Sequence, residues 1–197
     1  MLRQLATAAA LAIATAALPA QAANPEVELD TSAGVIKLEL FPQAAPKTVE
    51  NFLDYVKDGH YSGTQFHRVI AGFMIQGGGY DANFWQKPTR PPIAIESQES
   101  KKAGLSNVRG TIAMARTGDP NSATAQFFIN VADNSRLDFH SATPQGWGYT
   151  VFGKVIAGMD VVERIAHAKT GPAGPFRSDV PVDRVLITSA KLVTSPN

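Results

Sequence analysis

The stretch "QFHRVIAGFMIQGGG", residues 65–79, places a charged guanidinium, Arg68, and a carboxamide, Gln76, among Phe66, Val69, Ile70, Phe73, Met74 and Ile75. No Asp or Glu occurs between Gly59 and Tyr80, although a buried polar group without a partner costs a few kcal/mol. Gln126, beside Phe127 and Phe128, repeats the pattern further on. The more familiar chemistries find no such concentration of residues. His60 and His67 share a helical face only if Gly59 and Gly63 leave a helix unbroken, and no third metal ligand stands nearby. No G-x-S-x-G elbow occurs, and "GGGYD" and "GDPNSAT" fit neither a dinucleotide fingerprint nor the Walker lysine pattern. Asp179 and Asp183 sit in polar surroundings that suit a solvated surface. Any one of Arg68, Gln76 and Gln126 is also explained by an outward-facing strand position beside ordinary core phenylalanines.

These side chains need strands to hold them. In "VELDTSAGVIKLELF" a short strand and a turn lead into strict alternation, with Ile36, Leu38 and Leu40 on one side and Lys37 and Glu39 on the other. The period then changes: Val49, Phe52, Leu53 and Val56 follow helical spacing, Pro46 suits the first turn and Gly59 the end, which predicts a helix over 46–57. Strands are expected at "FHRV", "FMIQG", "TIAMA", "QFFINV", "YTVFGKVI" and "RVLITSAKLV". A second helix is expected at "MDVVERIAHA", where Asp160 and Glu163 have capping-box spacing. Many strands with two isolated helices imply an antiparallel barrel or sandwich with helical caps. The polar, Pro-rich segment 80–110 holds only "IAI" as a strand candidate, and loops of that length are usually functional or disordered.

Residues 1–22 carry Arg3, an apolar run from Leu5 to Leu18 and the small-residue pattern Ala20-Gln21-Ala22, the features of a secretory signal peptide cleaved before Ala23. Export without a lipid anchor, to the periplasm, is the expected address. Cleavage leaves 175 of the 197 residues, enough for one domain, with 17 basic residues against 17 acidic. That balance gives no nucleic-acid signal. With no Cys in the chain there is no disulfide framework, thiolate nucleophile or Cys-ligated metal.

The motifs "APKTVENF", "FHRVIAGFMIQGG", "MAR", "AQFFIN" and "VFGKVIAGMDVVE", in this order, resemble the cyclophilin family of peptidyl-prolyl cis-trans isomerases, especially its bacterial exported members. The resemblance spans 26–193 and implies a mainly β fold, a closed eight-stranded antiparallel barrel capped by two helices. It implies that Arg68 is the catalytic arginine, assisted by Gln76. Phe73, Met74, Phe128 and Leu137 would wall a pocket for the proline ring, and Gln76 and Ala115 would hold the substrate backbone. Gln126, Arg116 and Tyr149 complete the implied substrate-binding set. Where many eukaryotic members have Asn, Trp and His, this chain has Arg116, Arg136 and Tyr149; the first swaps a side chain where the backbone makes the contact, and the last two remodel the pocket rim, so weak cyclosporin inhibition is expected.

Such a reaction needs no nucleophile, base, metal or cofactor. Rotation about a peptide bond meets a barrier of ~18–20 kcal/mol because the planar amide is resonance-stabilised. A guanidinium that donates to the lone pair appearing on the twisted prolyl nitrogen lowers it. On this reading Arg68 lacks an acidic neighbour because its partner is the substrate. The implied partners are proline-containing unfolded or partly folded exported polypeptides, bound by a monomer without nucleic acid or stable membrane association. A binding module or chaperone built on the same barrel is the alternative, and a hydrolase lacks residues.

Overall fold

In the computed structural model, residues 23–193 are described, so the expected signal peptide lies outside them. Alternation builds the first hairpin from β1 (Glu26–Thr31) and β2 (Gly34–Leu40), which turns Val27, Leu29, Ile36, Leu38 and Leu40 to one buried side. There follow α1 (Pro46–Lys57), β3 (Thr64–Ile70), β4 (Met74–Asp81), α2 (Ser97–Lys102), β5 (Thr111–Met114), β6 (Phe127–Asn130) and a 3-10 turn at Ser135–Leu137. The chain continues with β7 (Val151–Ala157), α3 (Met159–Ala166), β8 (Thr170–Ala173), β9 (Phe176–Pro181) and β10 (Leu186–Val193). Eight strands close a barrel in the order β1-β10-β3-β4-β6-β5-β7-β2, every pairing antiparallel. This is the expected architecture.

The two expected helices seal the barrel. Val49, Phe52 and Val56 of α1 and Val161, Val162 and Ile165 of α3 join the interior cluster. The ring of Phe52 lies 5.1 Å from Tyr61, 5.7 Å from Phe127 and 5.2 Å from Phe152, so α1 is locked by aromatic packing. Its first turn has no local side-chain cap. Instead the buried carboxylate of Glu96 accepts from Lys47 N (3.0 Å), Thr48 N (2.8 Å) and Thr48 Oγ1 (2.7 Å). The long loop thus supplies the anion that a helix start favours.

Elsewhere the structure departs from expectation where tertiary contacts decide. α3 ends at Ala166, and its capping box does not form: Arg164 pairs with Asp160 at 2.6 Å, while Arg109 takes Glu163 at 2.9 Å. Gly158 enters the helix with a left-handed φ of 83°, and a Cβ there would meet Val35 O at 2.1 Å. "IAI" forms no strand, only a bridge from Ile93 to Ala123, and α2 follows it as a third helix. The β8–β9 hairpin was also not anticipated. Its Phe176 ring stacks 5.3 Å from His67 and 5.1 Å from Tyr80, outside the barrel.

Candidate active site

The strands bury both of their faces. Ile75, Ile112, Phe127, Ile129 and Phe152 point into the barrel. Their chain neighbours Met74, Ala113, Phe128 and Val151 form a second buried cluster on the outer face, with Phe73, Ala115, Leu137 and Tyr149 packed against it. In "QFFIN", Phe127 is therefore core and Phe128 belongs to the outer surface, as a period of two requires.

A bulge places Arg68 on that surface. Phe66 pairs with Gly77 and Arg68 with Gln76, so β3 advances two residues for one of β4. Phe66 and Val69 both point into the core, and the two residues between them, His67 and Arg68, are carried outward together. Arg68 then begins a row across five strands, opposite Gln76, which faces Phe128, which faces Ala113, which faces Val151. One end of this row is cationic and polar, and the rest is apolar.

The Arg68 end of the row floors an open cavity of about 110 Å³, lined by Arg68, Gln76 and Ala115 together with Phe73, Met74, Phe128, Leu137, Tyr149 and Arg116. The structure thus brings together every residue singled out above except Gln126. That side chain lines an adjoining cavity, which shares Gln76, Ala115 and Arg116 with the first. The two are connected by hydrogen bonds: Gln76 Nε2 donates to Gln126 Oε1 at 3.0 Å, and Arg68 Nη1 donates to Gln76 Oε1 at 3.4 Å. Among the described residues Arg68 joins no ion pair. It is half-buried, turned toward the cavity and available to a bound acceptor.

The pocket walls are held by packing. Phe128 meets Tyr149 edge-on at 5.5 Å, Arg116 lies 4.8 Å over Tyr149, and Arg136 lies 4.8 Å over Phe73. A buried asparagine network, missed in the sequence, supports three walls. Asn134 Nδ2 donates to Phe73 O (2.9 Å) and to Asn130 Oδ1 (2.8 Å). Asn107 Nδ2 donates to the carbonyls of Leu137 (3.1 Å) and Tyr149 (3.4 Å). The available signal was Asn130 itself, fully buried at the end of an apolar strand, where only a polar partner could offset its desolvation.

Glycine shapes the polar end. Gly79 has unremarkable backbone angles, but a Cβ there would meet Gln126 Cγ at 2.5 Å, so the carboxamide lies directly on its Cα. His67, behind Arg68, is buried against Tyr80 and Phe176, its Nδ1 without a hydrogen-bond partner. Burial lowers its pKa to about 4, so it is neutral at physiological pH and adds no cation beside Arg68. Among the described residues no group of three or more His, Cys, Asp or Glu could hold a metal ion.

A pocket with apolar walls and two guanidiniums, Arg68 and Arg116, that join no ion pair among the described residues, set on a closed barrel, defines a class of site suited to binding and polarising a ligand. A family model described as cyclophilin type peptidyl-prolyl cis-trans isomerase/CLD matches residues 26–192. The chain is 58% identical over 167 residues to a peptidyl-prolyl cis-trans isomerase of Streptomyces antibioticus, covering 85% of this chain and 98% of that one. It is 52% identical over 163 residues to peptidyl-prolyl cis-trans isomerase B of Escherichia coli, covering 83% and 96%. Its fold matches the crystal structure of a cyclophilin-type isomerase of Cryptosporidium parvum with a TM-score of 0.68 at 28% identity, covering 88% of this chain and 99% of that one. This chain belongs to the cyclophilin family and is a peptidyl-prolyl cis-trans isomerase.

Proposed function

We propose that this isomerase acts on X-Pro bonds of exported polypeptides, assists their folding, and lowers the rotation barrier with Arg68. The observation that carries the proposal is the five-strand row, which sets a donor at one end of an apolar floor. A proline ring seated among Phe73, Met74, Phe128 and Leu137 is held while the preceding carbonyl turns. As the amide twists, its nitrogen gains a lone pair, and the guanidinium donates to it. Gln76 holds Arg68 in that direction, and Ala115 offers its backbone to the substrate chain. The two isomers of an X-Pro bond are nearly degenerate, yet uncatalysed exchange takes tens to hundreds of seconds. Stabilising the twisted form alone is therefore sufficient for catalysis. A related cyclophilin-type isomerase of Cryptosporidium parvum was crystallised in the presence of the dipeptide Ala-Pro.

The signal-like sequence at residues 1–22 supports an extracytoplasmic address, and the balanced charge of the rest gives no signal for a nucleic-acid partner. In an isomerisation assay, Arg68→Ala is expected to lose ~10²–10³ in kcat/KM, the effect of deleting one preorganised donor. Arg68→Lys should recover only part, because a point charge lacks the guanidinium fork. A folded Arg68→Ala with near wild-type rate would move the chemistry elsewhere. Amino-terminal sequencing of exported protein should read from Ala23, and a species retaining Met1 would remove the export proposal.

A further inference from the structure

The two joined cavities hold Arg68 and Arg116 and no carboxylate or lysine. A third guanidinium, Arg136, lies 4.8 Å over the ring of Phe73, a wall residue of the first. None of the three is in an ion pair among the described residues, whereas Arg90, Arg109 and Arg164 all are. Arg116 spends two N–H groups on the carbonyls of Gly148 and Thr117, which fixes it but does not neutralise it. Of the acidic side chains nearest along the chain, Asp138 is ion-paired with Lys101, while Asp119 and Asp133 accept from the backbone amides of Asn121 and Arg109 and form no ion pair with these arginines. Residues 23–193 carry equal numbers of basic and acidic groups, 17 of each, so three cations gathered at one groove leave the remaining surface net negative.

We infer that this isomerase selects acidic peptides, X-Pro segments with Asp or Glu within a few residues of the proline. The inference rests on the groove being the substrate site. A chain leaving the ring pocket toward the second cavity passes Arg116, and a chain crossing the rim passes Arg136 over Phe73. A carboxylate at those points meets an uncompensated guanidinium, while a lysine meets like charge. Proximity of the three also concentrates the field at the mouth, so acidic segments are steered toward it.

The test uses peptides identical except for Glu, Gln or Lys on either side of an Ala-Pro pair, with isomerisation and binding both followed by NMR. At low salt kcat/KM should be ~3- to 10-fold higher for the Glu peptide than for the Lys peptide, and the ratio should shrink below ~2 near 0.5 M salt, where screening is short-ranged. Arg136→Gln should lower the Glu-to-Lys ratio ~2- to 3-fold, and Arg116→Gln should lower it as well. Equal or inverted rates at low salt overturn the inference, as does a preference that neither salt nor either substitution changes. Tighter binding of the Glu peptide without turnover of any peptide would sustain the charge selection and remove the assignment of turnover to this groove.

Discussion

Arg68 retains an unpaired charge because its hydrogen-bonding neighbour is a carboxamide, which orients it without neutralising it. Gln76 is oriented in turn by Gln126, and Gln126 lies on the bare Cα of Gly79. Gly79→Ala therefore pushes Gln126 off its seat and loosens the donor end of the row, with an expected loss of ~10-fold in kcat/KM and little change in KM. Repeating the substitution in a Gln126→Ala background distinguishes this route from general strain. If the effect passes through Gln126, the second loss should be small, since coupled residues are not additive. Full additivity would mean that Gly79 matters for another reason. The proposed pathway has no protonation step, and a guanidinium keeps its charge across the working range. A profile of kcat/KM from about pH 6 to 9 should accordingly be flat, and a His-like inflection would contradict the assignment.

Elements were legible to the extent that their causes are local. The barrel strands and α1 follow from alternation and helical spacing, and α1 runs from Pro46 to Lys57 as predicted. The site residues were legible through family motifs rather than periodicity, because alternation says that Phe127 and Phe128 differ in face but not which face is functional. What stayed hidden depends on distant contacts. The bulge at Arg68 is visible only when β3 and β4 are paired, and α2 has six residues without an apolar stripe. Glu96 caps a helix 48 residues away. Glu96→Ala strands two amides and a hydroxyl at the start of α1 and should cost about 2–3 kcal/mol in denaturant unfolding. A loss below half of that would show that water replaces the carboxylate. The paired phenylalanines permit a sharper comparison. Phe127→Leu should lower stability by about 1–3 kcal/mol with kcat/KM nearly intact. Phe128→Leu should lower kcat/KM far more than Phe127→Leu does, with a stability loss no larger than that of Phe127→Leu. Equal effects on both measurements would mean that the two faces are one core.

For the whole molecule, buried His67 ties stability to acidity. Its folded pKa, about 4, is depressed from the model-compound value of 6.5 by burial, so the unfolded chain binds the proton more readily. Stability is then complete above about pH 6.5 and declines as pH falls through the interval between the two values, by roughly 3 kcal/mol in all. Asp138, held below the usual carboxylate range against its burial by hydrogen bonds from Asn107 and Lys101, adds a further loss in stronger acid. Thermal unfolding between pH 7 and 4 should follow this decline, and His67→Phe, if folded, should flatten it. A wild-type Tm that does not fall over that range would show that His67 is more hydrated than its packing indicates. The barrel wall itself has another consequence. Because a single layer of strands carries the fold on one side and the candidate peptide groove on the other, the interior and the arginines at the edge of that groove are free to change at different tempos. Inward side chains fill one another's space and must vary in concert. The arginines at the edge of the groove can be replaced singly, so a lineage could pass from one diet of client sequences to another by short, separate steps without crossing an unfolded ancestor.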